Sequence, residues 1–239
     1  MDIYAINDLG QLLATNPYPG RGIVIGKSAD GKHAAIAYFI MGRSTNSRNR
    51  IFEMTDDGIR TKAYDESKLE DPSLIIYHPV RRLPGKLIVT NGDQTDTIRD
   101  GMAAGKSFPD SLKCRCFEPD GPNWTPRISG LVNFTEGGFD YSMSILKSAD
   151  AEGSACNRFT YDYEALNGLG HFIHTYVTDG NPIPTFQGEP ERIAIVGDME
   201  EFVQMIWNNL NEDNKISLYV RFTDLETGAY EETIINKNQ

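Results

Sequence analysis

The sequence predicts an α+β chain built of stacked antiparallel sheets. Three features carry that reading: apolar, partly β-branched runs come in pairs, turn signals with Gly or Pro separate the members of each pair, and helical spacing is confined to a few segments. Residues 22–27 and 34–41 form the first pair around Ser28-Ala29-Asp30-Gly31-Lys32, in which Asp-Gly is a hairpin signal. Residues 73–78 and 86–90 form a second strand group turned by Pro84-Gly85, and residues 96–106 follow as a short helix. Residues 127–134 and 139–146 make another hairpin through Glu136-Gly137-Gly138. Beyond it, residues 161–168 are expected to be helical, residues 179–190 a Pro/Gly-rich loop, and residues 192–196 a strand. The clearest helix starts at Asp198 or Met199 and runs to Leu210. Asp198 can cap it, while Phe202, Met205, Ile206 and Leu210 recur at helical spacing. A last hairpin joins residues 216–223 and 229–235 around Glu226-Thr227-Gly228. No internal repeat and no Pro- or Ser-rich linker divides the chain, so residues 1–239 are expected to be a single domain.

Composition narrows the function classes. With 39% hydrophobic and 10% aromatic residues in 239, the chain is an ordinary globular one, and disordered, collagen-like and disulfide-scaffold readings are excluded. A net charge of −11 repels phosphate backbones, and neither an arginine-rich tail nor a Cys/His finger offsets it, so no nucleic-acid partner is expected. The longest apolar stretch, residues 34–41, falls far short of the ~20 residues that span a bilayer, so no membrane partner is expected. The acidic start Met1-Asp2 differs from a secretory signal, and cytoplasmic localisation is the expectation. Cys114, Cys116 and Cys156 are an odd set, expected to be reduced.

The charge is uneven. Between residues 20 and 50, Arg21, Lys27, Lys32, Arg43, Arg48 and Arg50 face one acid, Asp30. The segment from Arg43 to Arg50 is dense in donors and holds three guanidiniums, planar forks suited to phosphate oxygens; its alternatives are an anion site and a solvated loop. Asn91-Gly92-Asp93-Gln94-Thr95-Asp96-Thr97 lies where a strand gives way to a helix, either as a capped turn, with Asp93, Thr95 or Asp96 as the cap, or as a polar site. Residues 118–127 form a proline-stiffened loop with Glu118, Asp120, Trp124 and Arg127, a site or a structural corner. The dinucleotide, Walker, nucleophile-elbow and His-Glu-x-x-His motifs are absent. His171 and His174 bracket an apolar pair without a nearby carboxylate or thiol, so no metal is expected there. Cys114-Arg115-Cys116 lacks the Cys-x-x-Cys spacing and suggests buried or idle thiols, and Tyr38, Tyr77, Tyr161 and Tyr163 are explained by packing.

Taken in order, these segments resemble a known family. Gly20-Arg21-Gly22 opens a strand, Arg43-Ser44 precedes Asn49-Arg50, and Tyr77 ends a strand. Asn91-Gly92-Asp93-Gln94-Thr95-Asp96-Thr97-Ile98 follows the next strand, and Phe117-Glu118 precedes Thr125-Pro126-Arg127-Ile128. Order and spacing resemble the archaeal-type IMP cyclohydrolase family and its bacterial relatives, over residues 20–134. The resemblance implies a four-layer αββα sandwich like that of N-terminal-nucleophile hydrolases, here without self-processing, since Asp2 and not Cys, Ser or Thr follows Met1. It also implies closure of 5-formamidoimidazole-4-carboxamide ribotide, FAICAR, to IMP with loss of water, the last step of purine synthesis. No cofactor is expected, the partner is the small-molecule nucleotide, and a homo-oligomer is implied. By the family pattern Arg50, Tyr77 and Glu118 fall on active-site positions. Glu118 would move the proton, Tyr77 would donate to the formyl oxygen, and Arg50 would offset charge or orient the carboxamide. Asn91 and Asp93 would contact base or ribose, with Arg21, Arg43, Arg48 and Arg127 competing for the phosphate. The arginine loop is two residues longer than in the archaeal form, which leaves Arg48 and Arg50 as alternatives. The loop after Glu118 also differs by one residue and contains Pro119 and Pro122. Two further readings are a non-catalytic purine-nucleotide-binding protein and an N-terminal-nucleophile-type amide hydrolase of changed specificity.

Overall fold

The computed structural model describes residues 2, 4–68 and 76–238. After helix α1 (Leu9–Thr15), strands β1 (Arg21–Lys27) and β2 (His33–Met41) form the expected hairpin. A single helical turn α2 (Thr45–Arg48) leads to β3 (Arg50–Thr55) and β4 (Gly58–Ala63). Next come β5 (Val80–Leu83), β6 (Lys86–Thr90), and helices α3 (Gln94–Ala103) and α4 (Phe108–Leu112). Strands β7 (Arg127–Thr135), β8 (Gly138–Ser148), β9 (Cys156–Glu164), β10 (Leu169–His174) and β11 (Glu191–Ala194) follow. Helix α5 (Met199–Asn209) and the hairpin of β12 (Lys215–Asp224) and β13 (Tyr230–Asn236) end the series.

The strands make two antiparallel sheets. The seven-stranded one runs β3-β4-β5-β6-β7-β8-β9 in chain order, and the six-stranded one runs β11-β10-β1-β2-β12-β13. Side-chain alternation explains why they stack. In β2, Ile36, Tyr38 and Ile40 face the other sheet, whereas Ala35, Ala37 and Phe39 face helices α1 and α5. Burial on both faces is the reason residues 34–41 are a continuous apolar run rather than an alternating one. The opposite surface of the seven-stranded sheet holds Ile88, Leu131 and Leu146 against Ile98 of α3 and Phe108 and Leu112 of α4. Apolar layers therefore lie between the sheets and under a helix pair on each outer face. Burying each Ile or Leu there contributes about 1.5–3 kcal/mol against exposure. The sheets approach closely at Gly130, where a Cβ would stand 2.6 Å from Ile25 Cδ1.

Several sequence expectations change. Residues 161–168 are not helical: β9 runs through Tyr161 and Tyr163, which pack on the inter-sheet core and alternate with Asp162 and Glu164, a period of two. Of the strand expected at residues 73–78, positions 73–75 lie outside the described residues, and positions 76–78 are irregular. The strand at β5 was not anticipated, because Arg81 and Arg82 break its apolar pattern. Helix α3 begins at Gln94, two residues early, and Gly105 at φ +83° ends its turn. Helices α1, α2 and α4 and strands β3, β4 and β10 were also not foreseen; each helix is short and begins after a capping Asp or Ser.

Candidate active site

Arg21 is the first residue of β1, and its backbone N–H donates to Thr175 Oγ1 at 3.1 Å. Gly20, at φ +81°, lets the chain enter this corner, since a side chain there would collide with Thr175 and Tyr176. The donor-dense segment before Arg50 folds into the α2 turn, closed by a reciprocal cap between Ser44 and Ser47. The Ser47 carbonyl then accepts Arg50 Nε at 2.8 Å, which fixes a guanidinium that is 0% exposed. Tyr77 is held by backbone bonds to Thr61, its N–H donating to Thr61 Oγ1 at 2.8 Å and its carbonyl accepting from Thr61 N–H at 2.8 Å. Its hydroxyl lies 2.8 Å from that of Tyr38, which projects from the middle of β2.

Glu118 stands at the neck of a closed loop. Its backbone N–H donates to the Thr125 carbonyl at 2.8 Å, and Thr125 N–H donates to Asp120 Oδ1 at 2.7 Å. Trp124 adopts φ +45°, a region unfavourable to a bulky residue, and is anchored by its indole N–H to the Ala151 carbonyl at 2.9 Å and by an edge contact with Phe117. The loop is thus rigid, and the Glu118 side chain, 4% exposed, is sent inward.

These groups form one electrostatic cluster between the sheets. Burial pushes the Glu118 carboxyl above the usual carboxylate range, against the attraction of Arg21, Arg127 and Arg50. Burial opposes the charge of Arg21 as well, yet Glu118 foremost, with Tyr176, Tyr18 and Tyr77, outweighs it and raises that guanidinium. Arg50 moves the other way: burial first, then repulsion from Arg21, lowers it. Burial also keeps the Tyr38 phenol protonated, well above its ordinary value. Among the described residues, six buried side-chain polar atoms lack a partner, and three of them are Arg21 Nε and both Nη atoms of Arg50. Unpaired buried donors on two neighbouring cations are what an anionic or carbonyl oxygen would satisfy.

The other sequence-derived candidates divide. Arg127, near Glu118, donates to Gln94 Oε1 at 2.8 Å and pairs with Asp93 Oδ1 at 2.8 Å. Asp93 occupies the cap position of α3 without capping it; burial opposes its charge, but Arg115 and Arg127 hold its carboxyl below the usual range. Asn91 spends its side chain on structure, donating to the Pro126 carbonyl at 2.9 Å and accepting from Ile128 N–H at 2.9 Å and Gln94 Nε2 at 3.0 Å. Arg43 lies at the rim, paired with Asp179 and 5.2 Å above the Tyr18 ring. Arg48 is bound to the Gly42 carbonyl at 3.0 Å and to Asn214, apart from the cluster. His171 and His174 sit three apart on a strand and so point to opposite faces, His171 to Tyr141 and His174 to Glu191. Cys114 and Cys116 are exposed rather than buried. A cleft of about 710 Å³ lined by Asp30, His33, Phe222 and Tyr230 lies elsewhere and includes none of these candidates.

Sequence reasoning missed Tyr38, Tyr18, Tyr176 and Thr125. Tyr176 stacks on Tyr18 at 5.8 Å and shares a 2.5 Å contact with the Thr125 hydroxyl, closing the wall beside Arg21. The signal available for Tyr38 was a hydroxyl in the middle of an otherwise apolar run.

The cluster draws on residues from Tyr18 to Tyr176, and the family described as IMP cyclohydrolase-like protein matches residues 18–228. A protein named IMP cyclohydrolase from Methanocella arvoryzae is 33% identical over 120 residues, 48% of this chain and 58% of that protein. One of the same name from Methanococcus aeolicus is 29% identical over the same length and shares. One from Methanocaldococcus jannaschii is 27% identical over 192 residues, 77% of this chain and 88% of that protein. In the first two matches the chain spans little more than half of the relative's length. The family match takes in the whole seven-stranded sheet, the six-stranded one except β13, and every residue of the buried Arg–Tyr–Glu cluster, and this chain therefore belongs to the family of IMP cyclohydrolase-like proteins.

Proposed function

We propose that this chain is an IMP cyclohydrolase, closing FAICAR to IMP in the cytoplasm as the final step of purine synthesis. The observation that carries this reading is the set of three orphaned guanidinium donors on Arg21 and Arg50, beside a buried carboxyl and a paired tyrosine hydroxyl. The names of the archaeal relatives support it. The helix–sheet–sheet–helix layering is in keeping with the sandwich of N-terminal-nucleophile hydrolases.

The reaction needs little beyond proton handling and charge stabilisation. The carboxamide nitrogen attacks the formyl carbon and gives up a proton, the formyl oxygen gains charge, and that oxygen leaves as water. Glu118 takes the carboxamide proton and delivers it to the charged formyl oxygen, and the formamide N–H gives up the second proton as the ring C=N bond forms and the hydroxyl leaves as water; burial raises the pKa of the Glu118 carboxyl and so strengthens it as a base. Tyr77 donates to the formyl oxygen, and Tyr38, protonated and in contact, keeps that hydroxyl oriented. The free Nη groups of Arg50 orient the carboxamide and offset the developing charge. Arg21 anchors the anionic side of the ribotide, with Arg127 and the rim Arg43 toward its phosphate. Arg50 is assigned this role over Arg48 because its donors are buried and unspent, whereas Arg48 is tied to Gly42 and Asn214.

The test is conversion of FAICAR to IMP by the purified chain, followed by chromatography with chelator present and no folate. Rapid conversion in the parent, with losses in Glu118→Gln and Tyr77→Phe but retained nucleotide binding, is the expected result. A parent that binds IMP yet never exceeds the uncatalysed rate would leave a purine-nucleotide-binding protein and end the catalytic reading.

A further inference from the structure

Two open sheets have four edge strands, and each exposes a row of backbone N–H and C=O groups unless something covers it. Strand β11 is four residues long and is bridged by Asn7, whose N–H donates to the Arg192 carbonyl at 2.9 Å and whose carbonyl accepts from Ala194 N–H at 3.1 Å. Strand β3 is plugged by Asn236, which accepts from Phe52 N–H at 2.8 Å and donates to the Phe52 carbonyl at 3.0 Å. Strand β13 leans on β3 and carries two adjacent acids, Glu231 and Glu232, directly after its first residue Tyr230.

Among the described residues, no segment bridges the free edge of strand β9 and no side chain plugs it; on the Arg158 side, the Arg158 guanidinium donates to the Arg115 carbonyl at 2.6 Å. Strand β9 is nine residues long, contains no Lys or Pro, and keeps an unbroken register with β8 from Ser148↔Cys156 to Asp140↔Glu164. Among the described residues, its backbone bonds to no segment other than β8 between residues 157 and 163. Residues 157–160 are exposed, and Phe159 leaves 41% of its surface in solvent. The 179–190 loop reaches this strand only from the inter-sheet side, where the Tyr161 hydroxyl donates to the Gly188 carbonyl at 3.0 Å.

The sequence of this edge is complementary to itself. Placed antiparallel to an identical strand about Thr160, Arg158 falls opposite Asp162 and Phe159 opposite Tyr161, each pair occurring twice. Arg158 and Asp162 share one face of the sheet and Phe159 and Tyr161 the other, so the charge pairs and the aromatic pairs form on separate sides. We infer that two copies of this chain join along β9, antiparallel and centred on Thr160, to make one fourteen-stranded sheet from two of seven. This rests on the strand alone and is independent of the proposed reaction.

Sedimentation of the full chain tests it, with circular dichroism confirming that each variant is folded. The parent is expected to sediment as a dimer or a larger even-numbered assembly. Arg158→Asp places acid opposite acid at two positions and should weaken the assembly about tenfold or more. The double exchange Arg158→Asp with Asp162→Arg restores opposite charges and should recover it. Thr160→Cys, at the two-fold axis, should give a covalent dimer on mild oxidation while the parent does not. A monomeric parent at high micromolar concentration would overturn the inference. So would an assembly indifferent to Arg158→Asp in which Thr160→Cys fails to cross-link.

Discussion

Replacing Arg50 with Met should make the ligand-free protein more stable while destroying its affinity for nucleotide. Arg50 is 0% exposed, and among the described residues only its Nε is bonded, to the Ser47 carbonyl at 2.8 Å. Both Nη atoms are buried without partners, and an unsatisfied buried donor costs about 1–3 kcal/mol. Burial and then Arg21 lower its pKa, so the folded state disfavours its charge, and that penalty is fully present at any pH below the lowered value. Methionine has similar length and no charge. The lost Nε bond costs about 0.5–1.5 kcal/mol, which leaves a net gain of about 2 kcal/mol, or about 4–8 °C in Tm for a chain of this size. With IMP at one hundred times its Kd, the parent should gain about 2.7 kcal/mol, and the variant should gain nothing at that concentration. Thermal melts of both proteins, with and without IMP, read all four values. An Arg50→Met protein that melts below the parent without ligand, or that keeps the ligand-induced shift, would refute the reasoning.

Further outcomes follow from the same geometry. Glu118→Gln should lower turnover by about 10²- to 10⁴-fold, and the acid limb of the parent's pH–rate profile should lie above the ordinary carboxylate value of 4.5. Because the folded carboxyl holds its proton more tightly than the unfolded one, stability from this group is present at low pH and lost as pH rises through the raised value. Melts of Glu118→Gln should lack that loss. Tyr77→Phe should cost about 10²- to 10³-fold in kcat if its hydroxyl binds the developing oxyanion; Tyr38→Phe should cost about tenfold with KM unchanged, since its role passes through Tyr77. Asn91→Ala removes three buried hydrogen bonds, and calorimetry should show a loss of about 3 kcal/mol and of about 6–12 °C in Tm.

How much was legible depends on whether the signal was local. Hairpins at β1–β2, β7–β8 and β12–β13 and the α5 helix carry their own turn or cap residues, and these elements lie where the sequence places them. Strand β9 was misread because Tyr161-Asp162-Tyr163-Glu164 is too short to separate the two periods without its neighbour β8. Arg21, Tyr77 and Glu118 could be named from family spacing, but that spacing left Arg48 and Arg50 as alternatives. The fold gives the two different surroundings, tying Arg48 to Gly42 and burying Arg50 with its Nη donors unspent.

The sequence by itself determined the class of fold, the acidic balance with its basic segment and the family, since turn chemistry, alternation and motif spacing act over a few residues. The tertiary structure decided which partners each polar group meets. Tyr38 lies 39 residues from Tyr77, and Thr125 lies 51 from Tyr176, so their contacts exist only once the sheets stack. The same packing committed Asn91 to holding a strand end and left both Nη atoms of Arg50 without a partner among the described residues, because burial removes water as an alternative partner and makes every remaining hydrogen bond count.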